Sequence, residues 1–293
     1  MLTDSFLNYL RYERNYSDKT VTAYREDLEQ FRRFVEERVD SFIPDQVEST
    51  DVRDWMVVLM DRGYTATSVN RKLSSLRSFY KFLLKRGEIT IDPLQKIAGP
   101  KKKKTLPSFI KERDMARLLD ETDFGEGFDG VRDKLILEVL YVTGIRRSEL
   151  IGLDDRDVDL SGGVLKVTGK RNKQRLIPFG EGLRIAIKEY LTLRDQTVGG
   201  SSEAFFVREN GQRLYDGLVY EIVKRHLSKV VTLKKRSPHV LRHTFATAML
   251  NNDAELGAVK ELLGHSSLAT TEMYTHTTFE ELKKVYNQAH PRA

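Results

Sequence analysis

Four short stretches of this chain carry residue types and spacings that could act on a phosphate ester. In Arg236-Ser237-Pro238-His239-Val240-Leu241-Arg242-His243, Ser237 followed by Pro238 marks a helix start. His239 then lies in the first turn and Arg242 one turn later on the same face. A helix amino end with an imidazole and a guanidinium facing one way suits a phosphate group, although the same residues also fit a capped surface helix. In Thr143-Gly144-Ile145-Arg146-Arg147-Ser148-Glu149-Leu150, glycine ends one helix and Arg146 enters the next, with Glu149 three residues on. Taken alone this is also an ordinary helix-helix turn closed by an ion pair. Lys170 stands at the tip of a hairpin, where lysine ordinarily serves solubility. The fourth stretch runs from Leu262 to His276 and contains His265 and Tyr274. The chain has 12 tyrosines, so a single one is more often core than nucleophile.

The elements that must position these residues fall into two halves. Residues 1 to 100 read as four helices and no strand, opened by Ser, Thr or Asp and mostly closed by Gly or Pro. After Ser17, the positions Val21, Tyr24, Leu28, Phe31 and Val35 form one apolar stripe at helical spacing. A second helix starts after Thr50 and stops at Gly63. The last, from about Thr67 to Arg86, turns Val69, Leu73, Leu76, Tyr80 and Leu83 to one side and Arg71, Lys72, Arg77, Lys81, Lys85 and Arg86 to the other. No carboxylate occurs between Tyr64 and Arg86, so this helix is expected to offer a surface of one sign to an anionic partner, unless it is merely a solvated face. The segment Ala98 to Pro107 holds two prolines, a glycine and the run Lys101, Lys102, Lys103 and Lys104. It reads as a linker, either a plain tether or one crossing a phosphate backbone.

From Ser108 the pattern is mixed. Helices are expected near 111–120 and 130–142 and from about Arg147, then strands over 163–168 and 174–178 joined by the turn-like Gly169-Lys170-Arg171-Asn172. Helices follow at 180–193, 214–230, 238–250, 254–262 and 278–288, with no internal repeat.

Composition narrows the class. At 293 residues and 40% hydrophobic content, two folded domains are the default. Zero cysteines exclude disulfides, thiol nucleophiles and thiolate metal sites. No apolar run approaches the roughly 18 to 20 residues of a membrane span, and the start Met1-Leu2-Thr3-Asp4 is unlike a signal peptide, so a cytoplasmic protein is expected. The net charge is +6, yet residues 1 to 100 carry 16 basic and 16 acidic side chains, so the whole excess lies from Lys101 onward.

Taken together, Arg146, Lys170, His239, Arg242, His265 and Tyr274 occur in an order and spacing that resembles the tyrosine recombinase (phage-integrase-type) family, its Xer-like members in particular. The likeness covers nearly the whole length, through TGIRRSEL, GKRNKQRLIP, SPHVLRHTFAT, LLGHSSLATTEMYTH and the ending AHPRA. It implies a mainly α fold with a small antiparallel β-sheet: an N-terminal helical, SAM-like core-binding domain over 1–98, a basic linker over 99–107, and a catalytic domain over 108–293 ending in a partner-docking helix. The two domains would form a C-shaped clamp on DNA.

The resemblance also implies the chemistry. Tyr274 would attack a DNA phosphodiester, leaving a 3′-phosphotyrosyl enzyme and a free 5′-hydroxyl that rejoins another strand through a Holliday junction, with no ATP, metal or cofactor. Arg146 and Arg242 would hold the non-bridging oxygens, His239 accept the phenol proton, Lys170 protonate the departing oxygen and His265 donate to a phosphate oxygen. Glu149 would orient a neighbour, and His243 would serve as structural support. DNA contacts are expected from Arg71, Lys72, Arg77, Lys81 and Lys101 to Lys104. The partner would be a double-stranded recombination site bound by a homo- or heterotetramer, with a second Xer recombinase and a septal DNA translocase as further candidates, and the protein would be associated with the nucleoid. Arg147, where the family commonly has an apolar residue, and Asn251-Asn252-Asp253 in place of a glycine-bearing turn depart from the pattern. Resolution of chromosome or plasmid multimers at a dif-like site is the expected task. A mobile-element integrase, a type IB topoisomerase and a catalytically silent DNA-binding regulator are the alternatives. A metal-dependent nuclease is disfavoured because no acidic cluster accompanies the histidines.

Overall fold

The structure is a computed structural model that describes residues 2–102, 108–169, 172–199, 202–233, 236–264 and 279–293. The chain divides into two compact units, residues 1–105 and 106–293.

The first unit is helical. Its elements are α1 (Leu2–Asn8, running into a widened turn through Glu13), α2 (Asp18–Glu36), α3 (Ser49–Asp61) and α4 (Ala66–Lys85). Local chemistry sets their starts: the Thr20 N–H donates to the Ser17 hydroxyl ahead of α2, and the Ser68 N–H to that of Thr65 ahead of α4. At α3 a reciprocal pair of Glu48 and Asp51 closes the first turn. The apolar stripes meet in a core that includes Phe6, Phe31, Trp55, Leu73, Leu76 and Tyr80. Phe31 and Trp55 pack edge to face, with ring centroids 5.0 Å apart.

Part of the basic side of α4 is engaged internally: α2 turns the carboxylate of Asp27 into the core, where it takes Arg71 at 2.6 Å and Lys72 at 2.9 Å. Lys72 is itself buried, so it offers no amine to DNA. Arg77 is partly buried and donates to the Ile97 carbonyl, whereas Lys81, Lys101 and Lys102 are exposed. Lys103 and Lys104 lie outside the described residues.

The second unit is built around α6 (Gly127–Thr143), which is buried along nearly its whole length. Ahead of it, α5 (Glu112–Ala116) continues as a widened turn to Glu121. After it come α7 (Arg147–Ile151) and a three-stranded antiparallel sheet in the order β1 (Val158–Asp159), β2 (Val164–Thr168), β3 (Gln174–Pro178). The register pairs Leu165 with Ile177 and Val167 with Arg175. The two-residue β1 is too short for a periodicity to show. Then follow α8 (Glu181–Val198), α9 (Asp216–Val230), α10 (Pro238–Asn251), α11 (Leu256–Leu263) and α12 (Phe279–Ala289). Gly144 ends α6 in the left-handed region at φ 61°. A Cβ there would sit 2.5 Å from the Phe245 ring, so both the turn and the approach of α10 require glycine.

Within this chain the terminal helix packs on its own unit. Leu282, Tyr286 and Ala289 are buried, the Ala289 carbonyl accepts from Asn252 at 2.8 Å, and the His290 ring stacks on Tyr286 and Phe245. The amphipathic face of α12 finds cover on β3, α10 and α11.

Candidate active site

The site grows from the junction of α6 and α7. Beyond Gly144 the chain buries Ile145 and places Arg146 at the amino cap of α7. From there the Arg146 backbone N–H donates to Glu149 Oε2 at 2.8 Å and its guanidinium to Glu149 Oε1 at 2.6 Å. The i,i+3 pair legible in the sequence is therefore a cap that locks the arginine to the helix it opens.

Arg242 arrives from α10. Ser237 and Pro238 start that helix as expected, although the Ser237 side chain makes no cap bond. Arg242 is 9% exposed and donates to the Gly144 carbonyl at 2.7 Å and the Leu263 carbonyl at 2.6 Å. Among the described residues, two of its five N–H groups are engaged, by these two carbonyls. Burial, followed by the nearby Arg146 charge, lowers its pKa to about 10, so it remains a cation at neutral pH.

A third guanidinium, absent from the sequence-based set, completes the arrangement. Arg175 on β3 clamps Glu149 with both terminal nitrogens, at 3.0 and 2.8 Å, and sends its Nε to the Leu262 carbonyl at 2.7 Å. Arg146 reaches the Gly264 carbonyl at 3.1 Å. Three arginines thus grip three consecutive carbonyls, Leu262, Leu263 and Gly264, at the carboxyl end of α11. These are the acceptors a helix leaves unpaired, at the end where its dipole is negative. Burial alone would raise the Glu149 carboxyl, but Arg175 and the Arg146 N–H hold it below the ordinary carboxylate range. Alternation along β3 was the signal for Arg175, since it shares a strand face with the buried Ile177.

His239 sits one turn before Arg242 and is exposed. Partial burial, then the charges of Arg147, His243, Arg242 and Arg146, hold its pKa below the usual histidine value. Arg147 is fixed by an ion pair with Asp216 at 2.7 Å and lies over the Tyr220 ring. His243 is exposed, one residue beyond Arg242. Among the described residues, no group of three or more His, Cys, Asp or Glu could hold a metal ion.

Two family models match the chain: the phage integrase family over residues 108–281, and the phage integrase N-terminal SAM-like domain over residues 3–87. The chain belongs to the phage integrase family. As a member it is a tyrosine recombinase, an enzyme of site-specific DNA strand transfer. It is 43% identical to the tyrosine recombinase XerC of Chlorobaculum parvum, over 99% of this chain and 94% of that protein. It is 40% identical to the tyrosine recombinase XerC of Staphylococcus carnosus, over 100% of this chain and 98% of that protein. Among solved structures it resembles the XerH site-specific recombinase bound to a palindromic difH substrate in a post-cleavage complex. The TM-score there is 0.74 at 21% identity, covering 96% of this chain and 83% of that one, a likeness of fold. The mainly helical architecture with a small antiparallel sheet, and the pairing of a SAM-like with a catalytic domain, are those of the integrase family. Of the six positions that the family motifs single out, Arg146, His239 and Arg242 lie around the carboxyl end of α11 and the start of α10. Lys170, His265 and Tyr274 lie outside the described residues.

Proposed function

We propose that this recombinase cleaves and rejoins DNA at a dif-like site through a 3′-phosphotyrosyl intermediate, resolving chromosome or plasmid multimers. The observation that carries the reading is the convergence of two arginines, Arg146 and Arg242, with His239 one turn before Arg242. Each guanidinium is held by a backbone carbonyl and, among the described residues, has N–H groups left for a phosphate oxygen. Charge-assisted hydrogen bonds of that kind contribute about 1.5 to 3 kcal/mol each, and a preorganised donor to a transition state is worth about 10²- to 10³-fold in rate.

Attack by the Tyr274 oxygen on phosphorus forms the phosphotyrosine and breaks the bond to the 5′-oxygen. A phenol with pKa near 10 is only about 0.1% ionised at pH 7, so its proton must pass to a base, and His239 takes that part. Lys170 delivers a proton to the departing 5′-oxygen, and His265 donates to a phosphate oxygen. Glu149 orients Arg146. Because the ester bond is conserved, rejoining needs no nucleotide. Exposed Lys81, Lys101 and Lys102, with Arg71 and Arg77, contribute phosphate contacts along the duplex. Exchange between two duplexes requires four subunits, either identical or paired with a second Xer recombinase, and a septal DNA translocase is a candidate activator. The setting is the cytoplasm, at the nucleoid; no described helix is long and apolar enough to cross a membrane.

The test is incubation with a nicked duplex bearing candidate resolution sites, followed by denaturing electrophoresis. The wild-type protein should be trapped as a covalent adduct, and Tyr274→Phe should bind the same duplex without forming one. An adduct surviving in that variant would remove Tyr274 from the role.

A further inference from the structure

Arg175 belongs to none of the positions that the recombinase motifs single out, yet its guanidinium makes three hydrogen bonds beside Arg146 and Arg242. Its side chain is 13% exposed, against 35% for Arg146, so it lies beneath the surface that meets the substrate. Both Glu149 oxygens are saturated by two donors each: Oε1 by Arg146 and Arg175, Oε2 by the Arg146 backbone N–H and Arg175. The Arg175 Nε takes the Leu262 carbonyl, next along the chain to those that Arg242 and Arg146 hold. The backbone lies so close that a Cβ on Gly264 would come within 3.1 Å of the Arg175 guanidinium, and one on Gly169 within 3.2 Å of Glu149 Oε1.

We propose that Arg175 is a positioning residue for DNA cleavage, a buried strut that ties Glu149 to the carboxyl end of α11 and so fixes the placement of the Arg146 and Arg242 guanidinium groups. The inference rests on the recombinase reading of the site. The Glu149 side chain is 2% exposed, so a carboxylate there must be neutralised. If Arg146 were its only cation, the pair would tighten and Glu149 would compete with the DNA phosphate for that guanidinium. Arg175 supplies the second cation from below and leaves the outer side of Arg146 free. By gripping Leu262 it also holds the α11 end in register with the carbonyls that orient Arg242. Only a guanidinium can do both, since the contact needs two parallel donors to the carboxylate and a third at an angle to the carbonyl.

The experiment uses the full chain with Arg175→Met, Arg175→Lys, Glu149→Gln and the Arg175→Met/Glu149→Gln double variant. Thermal unfolding, affinity for one nicked duplex site, and the single-turnover rate of covalent adduct formation are measured separately. Arg175→Met should bind the site with near wild-type affinity and form adduct about 10²-fold more slowly, the loss expected from a misplacement of about 1 Å. Arg175→Lys, able to satisfy one partner, should recover part of that rate. The double variant should fall no further than the worse single one, because both changes break the same linkage. An unaltered adduct rate, an affinity falling in step with the rate, or losses that multiply in the double variant would each overturn the proposal. Should Arg175→Met lose its folding transition, Arg175→Lys carries the same comparison alone. Failure of the wild-type protein to form adduct counts against the recombinase reading of the site instead.

Discussion

Asp27 and Arg71, 44 residues apart, meet in a two-pronged ion pair with contacts of 2.6 and 2.8 Å. The carboxylate is fully buried and also takes the amine of Lys72 at 2.9 Å and the hydroxyl of Ser75 at 2.7 Å. This cluster bolts α2 to α4 from inside an apolar core. Asp27→Ala strands the buried Lys72 cation without a counter-charge, which costs about 3 to 5 kcal/mol. Trp55, the one tryptophan in the chain, is buried in the same unit, so denaturant unfolding followed by its fluorescence reports the loss. A midpoint equal to wild type would show that the cluster is not holding the helices.

The same cluster separates the lysines of α4 by role. Lys81 is exposed and Lys72 is not. Lys81→Gln should lower the salt dependence of DNA binding by about 0.9 in the log–log slope, the contribution of one phosphate contact. Lys72→Met should leave that slope unchanged. Binding titrations across a salt series decide the matter, and equal slopes for wild type and Lys81→Gln would turn this face of α4 toward solvent.

His239 links site charge to pH. Partial burial first, and then the Arg147 cation, depress its pKa. A proton acceptor must be neutral, so the cleavage rate rises with pH through the His239 pKa. Arg147→Gln withdraws a positive neighbour, lets that pKa move back up, and shifts the acid limb of the adduct-formation profile to higher pH. The plateau rate at alkaline pH should stay close to wild type. A profile that does not move would mean that another group sets the limb.

His290 makes the catalytic unit sensitive to acid. Burial lowers its pKa to about 4, and its Nδ1 accepts the Arg292 N–H at 3.1 Å. Unfolded, the ring titrates near 6.5, so the unfolded chain takes up the proton first as pH falls. The stability contributed by the neutral ring is complete above about 6.5 and is lost on the way down to 4, by about 3 kcal/mol. His290→Gln should flatten that part of the curve when unfolding free energy is measured across the pH range. An equally steep loss in the variant would assign the acid sensitivity elsewhere.

The packing of α12 shows how far pattern alone reaches. Its stripe of Leu282, Val285 and Tyr286 announces a helix with one face to cover, and the helix forms where the spacing places it. Which surface covers that face depends on the shape that β3, α10 and α11 present, and no periodicity encodes it. The helices of the first unit were legible for a similar reason: residues three and four apart share a face whatever the rest of the chain does. β1, two residues long, has no period to read.

Type and spacing by themselves determined most of the helices of this protein, and the family resemblance pointed to its candidate site residues. Arg146 and Glu149 stand one turn apart, as do His239 and Arg242, and those relations survive in any fold that keeps the helices. Tertiary structure alone decided how charges remote in sequence combine. It drew Asp27 against Arg71 and Lys72, turning an expected basic surface partly inward. It also set Arg175, from the middle of a strand, against Glu149 and the end of α11. The physical reason is that a charge removed from water must find its partner within hydrogen-bonding distance, and that distance is fixed by packing, not by position along the chain.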